Sequence, residues 1–153
     1  MLRRAPQIVF LPRHGGRLLE PGDDVDWDIR LIHVTPDRVR ALEVSVLWRT
    51  EGKGDEEISV HHFERHVALA PAEPSLLGPY RGATTLPDTP LSYHGRILRI
   101  VWSVRARLFF DRGREIMADQ VFQLGQARPA PPPTTDAVAD EAAVDALEPT
   151  GEM

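Results

Sequence analysis

The segment from Leu98 to Phe110 alternates between two kinds of position, and this pattern constrains the fold more than any other feature of the chain. Because successive side chains of a β-strand point to opposite faces, a period of two predicts a half-buried strand. The face that carries Arg99, Arg105 and Arg107 either binds a ligand or is the solvated side of the strand. The other face is wholly apolar: Leu98, Ile100, Trp102, Val104, Ala106, Leu108 and Phe110.

Segments of similar character occur along the rest of the chain as far as residue 126. Alternation or short apolar runs predict strands at residues 7–11, 25–31, 42–48, 58–69, 80–86 and 116–124, with turns at 21–24, 35–38, 50–57 and 111–115. No helical period with capping signals interrupts them. We therefore expect an all-β fold, an antiparallel β-sandwich of about seven or eight strands. Its core should contain Trp48 and Trp102, joined by Trp27.

Composition divides the chain after residue 126. Residues 127–153 join a proline run to small and acidic side chains, with one arginine and six acids, and this excess equals the net charge of −5 of the whole chain. Such a segment buries too little apolar surface to offset the entropy of ordering it. We expect one domain at 1–126 and a disordered Pro/Ala-rich acidic tail at 127–153.

Several classes of function find no support in the residues. Cysteine is absent, which excludes a disulfide scaffold and a thiolate zinc site, and no run approaches the roughly 18 apolar residues of a membrane span. Residues 1–126 are charge-neutral, whereas a nucleic-acid-binding domain is usually basic. No nucleophile elbow occurs, and Ser92 lies too close to His94 along an extended segment to suggest a catalytic pair. We expect a cytoplasmic protein that is not an enzyme, needs no cofactor and binds no nucleic acid.

A histidine-rich stretch at residues 61–66 is a candidate for a metal site. In a strand, His62, Glu64 and His66 share a face, and their side chains are types that bind zinc. The alternative is that these three form a solvated strand face. On that interpretation Phe63, Val67 and Leu69 point into the core.

The arginine row has two interpretations. Arg99, Arg105 and Arg107, with Arg96 nearby, could bind a partner, an acidic peptide or a sugar, and Lys53 in the polar loop at 50–57 is a further candidate contact. The row could equally pair across strands with Asp26, Asp28, Glu43 or Glu64. The neutral charge of residues 1–126 favours internal pairing.

Three short motifs together resemble the arrestin-like β-sandwich. The first is a turn with Pro21 and Gly22 followed by Val25. The second leads into a strand through Leu86, Pro87, Pro90, Ser92 and Gly95, and the third is the strand itself, with Ile100, Trp102, Val104 and Ala106. The resemblance spans residues 7 to 124 and is to the N-terminal domain of arrestins, with this chain as a single-domain relative of bacterial type; bacterial relatives such as sporulation-control proteins look similar in fold.

The resemblance implies an immunoglobulin-like adaptor or scaffold domain. Arrestins have two sandwiches and this chain has length for one, so receptor regulation through an inter-domain clamp is not implied. We expect a protein partner that binds a sheet edge, a sheet face or a loop.

Overall fold

The computed structural model describes residues 2–11, 17–67 and 78–126. The segment expected to be a disordered tail, 127–153, lies outside the described residues, as do the last two positions of the strand expected at 58–69. Within the described part, the chain forms strands and two short 3₁₀ turns, Pro36–Arg38 and Asp111–Gly113, and no α-helix. No helix in this part is long and apolar enough to cross a membrane.

The strands of the described residues form two sheets. In chain order they are β1 (Gln7–Phe10), β2 (Leu18–Leu19), β3 (Asp24–Ile32), β4 (Val39–Gly52), β5 (Ile58–Val67), β6 (Tyr80–Thr85), β7 (Tyr93–His94), β8 (Leu98–Phe110) and β9 (Glu115–Leu124). The smaller sheet has the order β1-β3-β6. The larger has the order β2-β9-β8-β4-β5, with β7 paired to the beginning of β8. All pairings are antiparallel except that of β2 with β9.

The core lies between these sheets, and the alternation of β8 determines which side chains enter it. Trp102, Val104, Ala106 and Leu108 are fully buried, as the sequence predicts. Trp27 is buried from the opposite sheet, while Trp48 is half-buried and packs against the cluster. The expected β-sandwich with a tryptophan-containing core is therefore confirmed.

The motif residues hold the ends of the strands together. Gly22, at φ +88°, donates its N–H to the carbonyl of Leu86, and the Leu86 N–H donates to the carbonyl of Asp23. The Trp102 indole N–H donates to the carbonyl of Pro90 at 2.8 Å. Segments far apart in sequence thus meet through main-chain carbonyls, which explains why these residue types occur together.

The sandwich has two ends and two lateral seams. At the lower end, residues 33–38 and 111–114 lie together, because Val39 is opposite Phe110. At the upper end, residues 53–57 and 95–97 lie together, because Gly52 is opposite Leu98. Strand β1 lies near β9 along one seam, and β6 lies near β5 along the other.

Candidate functional site

The arginine row of β8 lies on the outer face of the large sheet, the side turned away from the small sheet. Arg105 donates from Nε and Nη2 to the two carboxylate oxygens of Asp119, at 2.8 and 3.0 Å. Asp119 is directly opposite on β9. This hydrogen bond raises the pKa of the Arg105 guanidinium, against the opposing effect of burial. This bidentate pair occupies the guanidinium donors that Arg105 would otherwise use to bind an external anion.

Arg107 is also held within the sheet. Its Nη2 lies 2.7 Å from Glu115, its Nη1 lies 3.9 Å from Glu43, and its guanidinium lies 5.1 Å from the ring centre of Phe109. Glu43 is the one partner of the row that was foreseen from the sequence. The other carboxylates considered pair elsewhere: Asp26 with Arg17, Asp28 with Arg30 and Arg81, and Glu64 with two histidines.

The Arg105–Asp119 pair belongs to a larger network that the sequence did not reveal. Arg49, on β4, approaches Asp119 at 3.3 Å and Glu51 at 3.0 Å. The side chains of Arg49, Arg105 and Asp119 are all at most one-fifth exposed. Alternation in β4 and β9 places Arg49 and Asp119 on the outer face, but only the strand register shows that they meet.

Arg99 and Lys53 differ from these arginines. Both are exposed at the upper end, and neither has an ion pair with a residue of the described ranges. The hairpin that carries Lys53 is closed by Thr50, whose N–H donates to the Glu57 carbonyl and whose hydroxyl accepts from the Glu57 N–H. Asp55 and Glu56 line the same cleft as Lys53. These acids disfavour a phosphate ligand there.

His62, Glu64 and His66 share one face of β5, as their spacing predicts, but that face is turned toward the small sheet. The His62 ring centre lies 5.6 Å from that of Trp27, and the His66 ring centre lies 5.0 Å from that of Tyr80. The three side chains are between 29% and 40% exposed. The interpretation of a solvated face is therefore wrong, because these side chains close the seam between β5 and the small sheet.

The geometry of this trio is that of a hydrogen-bonded row. Oε1 of Glu64 lies 3.0 Å from Nε2 of His62, and Oε2 of Glu64 lies 3.3 Å from Nε2 of His66. Each carboxylate oxygen thus has its own histidine. No group of three His, Asp or Glu side chains in the described ranges is placed to hold a metal ion. Zinc binding by the three residues is tested by the titration described in the Discussion.

Phe63 and Val67 were expected in the core, and this expectation is wrong. They are 52% and 49% exposed on the outer face. The reason is visible in the register, since Phe63 is opposite Ser45, which lies in the same outer row as Arg105. Leu69, expected with them, lies outside the described residues.

A β-bulge separates the two halves of β5. Val46 is paired with His62 and Leu47 with Val60, so His61 has no residue opposite it. His61 reaches the carbonyl of Thr85 on β6 at 2.7 Å. Because the bulge changes the phase of the alternation, Ile58 and Val60 lie on the same outer face as Phe63 and Val67.

Four side chains on the outer face of β5 are apolar and are here called the β5 apolar surface: Ile58, Val60, Phe63 and Val67. Arg65, which pairs with Glu43 at 3.5 Å, lies on the same face between Phe63 and Val67. Each of the four apolar side chains is about half exposed, although β5 is the last strand of its sheet. Within the described residues, no strand pairs with the far edge of β5. The individual apolar residues could be seen in the sequence, but an unrecognised bulge concealed that they share a surface.

The opposite border of the outer face is different in character. Met117 and Val121 of β9 are exposed, but Asp119 stands between them and Glu115 precedes them. Strand β9 is bordered by β2 only at Gln123 and Leu124. On β5, three apolar side chains, Ile58, Val60 and Phe63, follow one another on the outer face before Arg65, so that border has the longer apolar run.

Comparison with known proteins supports the fold. No protein-family model matches the chain, and no curated protein matches its sequence. Among solved structures, the chain is similar to Spo0M, a sporulation control protein from Bacillus subtilis, with a TM-score of 0.53 and 13% identity over 80% of this chain. It spans about half of the Spo0M chain, 49%.

A second similar structure contains fibronectin(III)-like modules of CbhA from Clostridium thermocellum. The TM-score is 0.39 at 11% identity, over 77% of this chain and 94% of that one. The likeness to Spo0M, at its low identity, shows the fold alone. That fold is a β-sandwich of two mostly antiparallel sheets.

Proposed function

We propose that this chain is an arrestin-like adaptor domain that binds an extended segment of a protein partner along β5. The observation that carries the proposal is the β5 apolar surface, four half-exposed side chains on an edge strand of ten residues. The proposed partner segment adds to the large sheet as a further strand. Its alternate apolar side chains pack beside Phe63 and its neighbours.

The physical basis is the unpaired main chain of an edge strand. An edge presents N–H and C=O groups that a second extended chain can bind, and side-chain contacts on one face then provide selectivity. Aromatic and β-branched side chains are the ones that contribute most across neighbouring strands. Phe63, Ile58, Val60 and Val67 all belong to these types.

The regular part of this edge is its second half. The bulge at His61 interrupts the ladder with β4, whereas His62 to Val67 pair with β4 without interruption. His62 and His66 pack against Trp27 and Tyr80 of the small sheet, which holds the inner side of this half in place. We therefore centre the proposed contact on Phe63 and Val67.

A small-ligand site on the arginine row is less well supported. Arg105 and Arg107, two of the three members of the row, are held by Asp119 and Glu115. An acidic peptide or a sugar would have to displace these carboxylates. The proposal therefore has a protein partner, no catalytic step and no cofactor.

The experiment uses random peptides displayed on phage, selected against the full chain. Affinities of the selected peptides are then measured for the wild type, for Phe63→Lys and for the matched control Met117→Lys. Met117 has a similar exposure on the same outer face but lies on β9. Circular dichroism and thermal unfolding verify that both variants fold.

We expect Phe63→Lys to weaken peptide binding about tenfold or more, as loss of an aromatic anchor does. Met117→Lys should leave the affinity within about twofold, a difference too small to indicate a lost anchor. Bound peptide should protect the amides of β5 from hydrogen exchange. Selection of no peptide, protection of another strand, or equal weakening by both variants would contradict the proposal. A dimer seen by sedimentation and abolished by Phe63→Lys would assign the surface to a second copy of the chain instead.

A further inference from the structure

The lower end of the sandwich contains a cleft with an unusual concentration of arginine. It is formed by the segment before β1, by the connection from β3 to β4 and by the hairpin between β8 and β9. Its volume is about 310 Å³. The charged or titratable side chains that line it are Arg3, Arg4, His33, Arg38, Asp111 and Arg114.

The charge of this cleft is not balanced from within. Four arginines face one carboxylate, that of Asp111. None of the four has an ion pair with a carboxylate of residues 2–11, 17–67 or 78–126. Arginines on the faces of the sheets behave differently, since Arg49, Arg105 and Arg107 are each held by an acid.

Two turns beside the cleft have uncommon backbone conformations. His33 has φ 56° and Arg112, between Asp111 and Arg114, has φ 60°. Residues with a Cβ adopt this left-handed region uncommonly, because the Cβ crowds the backbone there. Positions of this kind cluster at binding sites, where the conformation positions neighbouring side chains.

We propose that this cleft binds a small anion that carries two or more phosphate or carboxylate groups. Guanidinium groups bind such oxygens through paired, charge-assisted hydrogen bonds. Several arginines from three separate segments favour a ligand with more than one anionic group. Apolar lining is also present, from Pro6, Val34 and Phe110.

The size of the cleft favours a small molecule. Sites for small ligands usually enclose about 300–1,000 Å³, and this cleft is at the lower limit. The ligand proposed here is independent of the protein partner proposed above, because the cleft is at the lower end and the β5 apolar surface is on the outer face of the large sheet. Failure of either proposal leaves the other standing.

The test measures binding of tripolyphosphate and of citrate to the full chain by titration calorimetry. Three variants are compared with the wild type: Arg38→Ser, Arg114→Ser and the matched control Arg96→Ser. Arg96 is exposed at the upper end and, in the described part of the chain, has no ion pair either. Thermal unfolding without ligand verifies that each variant folds.

We expect at least one of the two probes to bind, and its identity distinguishes a phosphate ligand from a carboxylate ligand. Arg38→Ser and Arg114→Ser should each weaken binding about tenfold or more, since each removes charge-assisted hydrogen bonds. Arg96→Ser should leave the affinity within about twofold. No binding of either probe at millimolar concentration overturns the proposal. So does an equal loss in all three variants, which would indicate a general effect of charge.

Discussion

Trp27 and Gly82 lie directly opposite each other on β3 and β6, and the indole ring occupies the space that a side chain at position 82 would need. A Cβ atom placed on Gly82 would lie 2.5 Å from Cζ2 of Trp27 and 2.9 Å from its Nε1. Trp27 is buried and also contacts the His62 ring across the seam. Glycine at position 82 is therefore what allows this tryptophan to lie over β6.

Gly82→Ala should destabilise the protein. The added methyl group must displace the Trp27 ring, and overpacking of this kind costs about 1–3 kcal/mol of unfolding free energy. The change is measured by denaturant unfolding. Gly125→Ala is the matched control, because its nearest contact would be an ordinary 3.5 Å to Leu18. An equal loss in both variants would show that the contact with Trp27 is not responsible.

Ser103→Ala should stabilise the protein or leave it unchanged. The Ser103 hydroxyl is buried, and no hydrogen-bond partner for it lies among the described residues. Removing a buried polar group without a partner avoids a desolvation cost of about 1–3 kcal/mol.

Ser92→Ala provides the contrast for Ser103→Ala. The Ser92 hydroxyl accepts the Leu124 N–H at 2.9 Å, and Leu124 is buried. Its loss should lower the unfolding free energy by about 1 kcal/mol. Denaturant unfolding of the two variants side by side measures whether each substitution raises or lowers the unfolding free energy. Destabilisation by Ser103→Ala as large as that by Ser92→Ala would mean that Ser103 has a partner in solution.

Asp119→Asn should destabilise the protein more than Glu115→Gln. Asp119 receives hydrogen bonds from both Arg105 and Arg49, with all three side chains at least four-fifths buried. Glu115 pairs with Arg107 at an exposed site. We expect losses of about 1–3 kcal/mol for Asp119→Asn and below about 1 kcal/mol for Glu115→Gln. Both unfolding free energies are measured in low salt. Equal losses would mean that burial of the network around Asp119 adds nothing to its contribution to stability.

Zinc titration tests the interpretation of His62, Glu64 and His66 as a metal site. We expect no binding at one equivalent, since each carboxylate oxygen of Glu64 already faces a histidine nitrogen. Inductively coupled plasma mass spectrometry after incubation and desalting measures the bound metal. One equivalent of zinc in the wild type that is lost in His62→Ala would contradict this expectation and restore the metal site.

Alternation alone predicted much of the sandwich. The apolar face of β8 was assigned correctly because an antiparallel strand of 13 residues, Leu98–Phe110, keeps one phase throughout its length. The positions of the motif residues also agree with the structure. Gly22, Leu86, Pro90 and Ser92 each make hydrogen bonds with main-chain groups, and few other residue types could replace them there. These features depend on local geometry, which sequence encodes directly.

Two separate features of β5 were not predicted. A bulge at His61 inserts one residue into the ladder, and side chains on either side of it therefore do not follow one alternation. Phe63 was assigned to the core because it is apolar, but the regular stretch from His62 to Val67 turns its apolar face outward and its histidines toward the small sheet. Nothing in the local sequence distinguishes a bulged strand from a regular one, because the extra residue is defined only by the partner strand.

The arginines show a second limit. Alternation placed Arg105 and Arg107 on one face, but their partners depend on the register of β9 and β4, which separate turns determine. The cleft at the lower end was missed for the same reason. Arg3, Arg38 and Arg114 are far apart in sequence and meet only where three chain segments converge.

Ionisation of Tyr80 should make the protein less stable in strong alkali. Burial raises the pKa of Tyr80 to about 12, whereas a tyrosine in an unfolded chain ionises near pH 10, at a pKa of about 10. The folded state therefore favours the neutral phenol, and the unfolded state releases the proton first. The contribution of this phenol to stability is fully present below about pH 10 and is lost as the pH rises toward about 12.

Two measurements follow from this pKa shift. The chain has two tyrosines, so in Tyr93→Phe the ultraviolet absorbance of tyrosinate reports Tyr80 alone, and its midpoint should lie near pH 12. In Tyr80→Phe, the unfolding free energy should fall less steeply between about pH 10 and 12 than in the wild type. The slopes are compared, and not the absolute stabilities, because the variant also changes other contacts of this side chain. Equal slopes, or a Tyr80 midpoint near pH 10, would show that the β5–β6 seam admits solvent to the phenol.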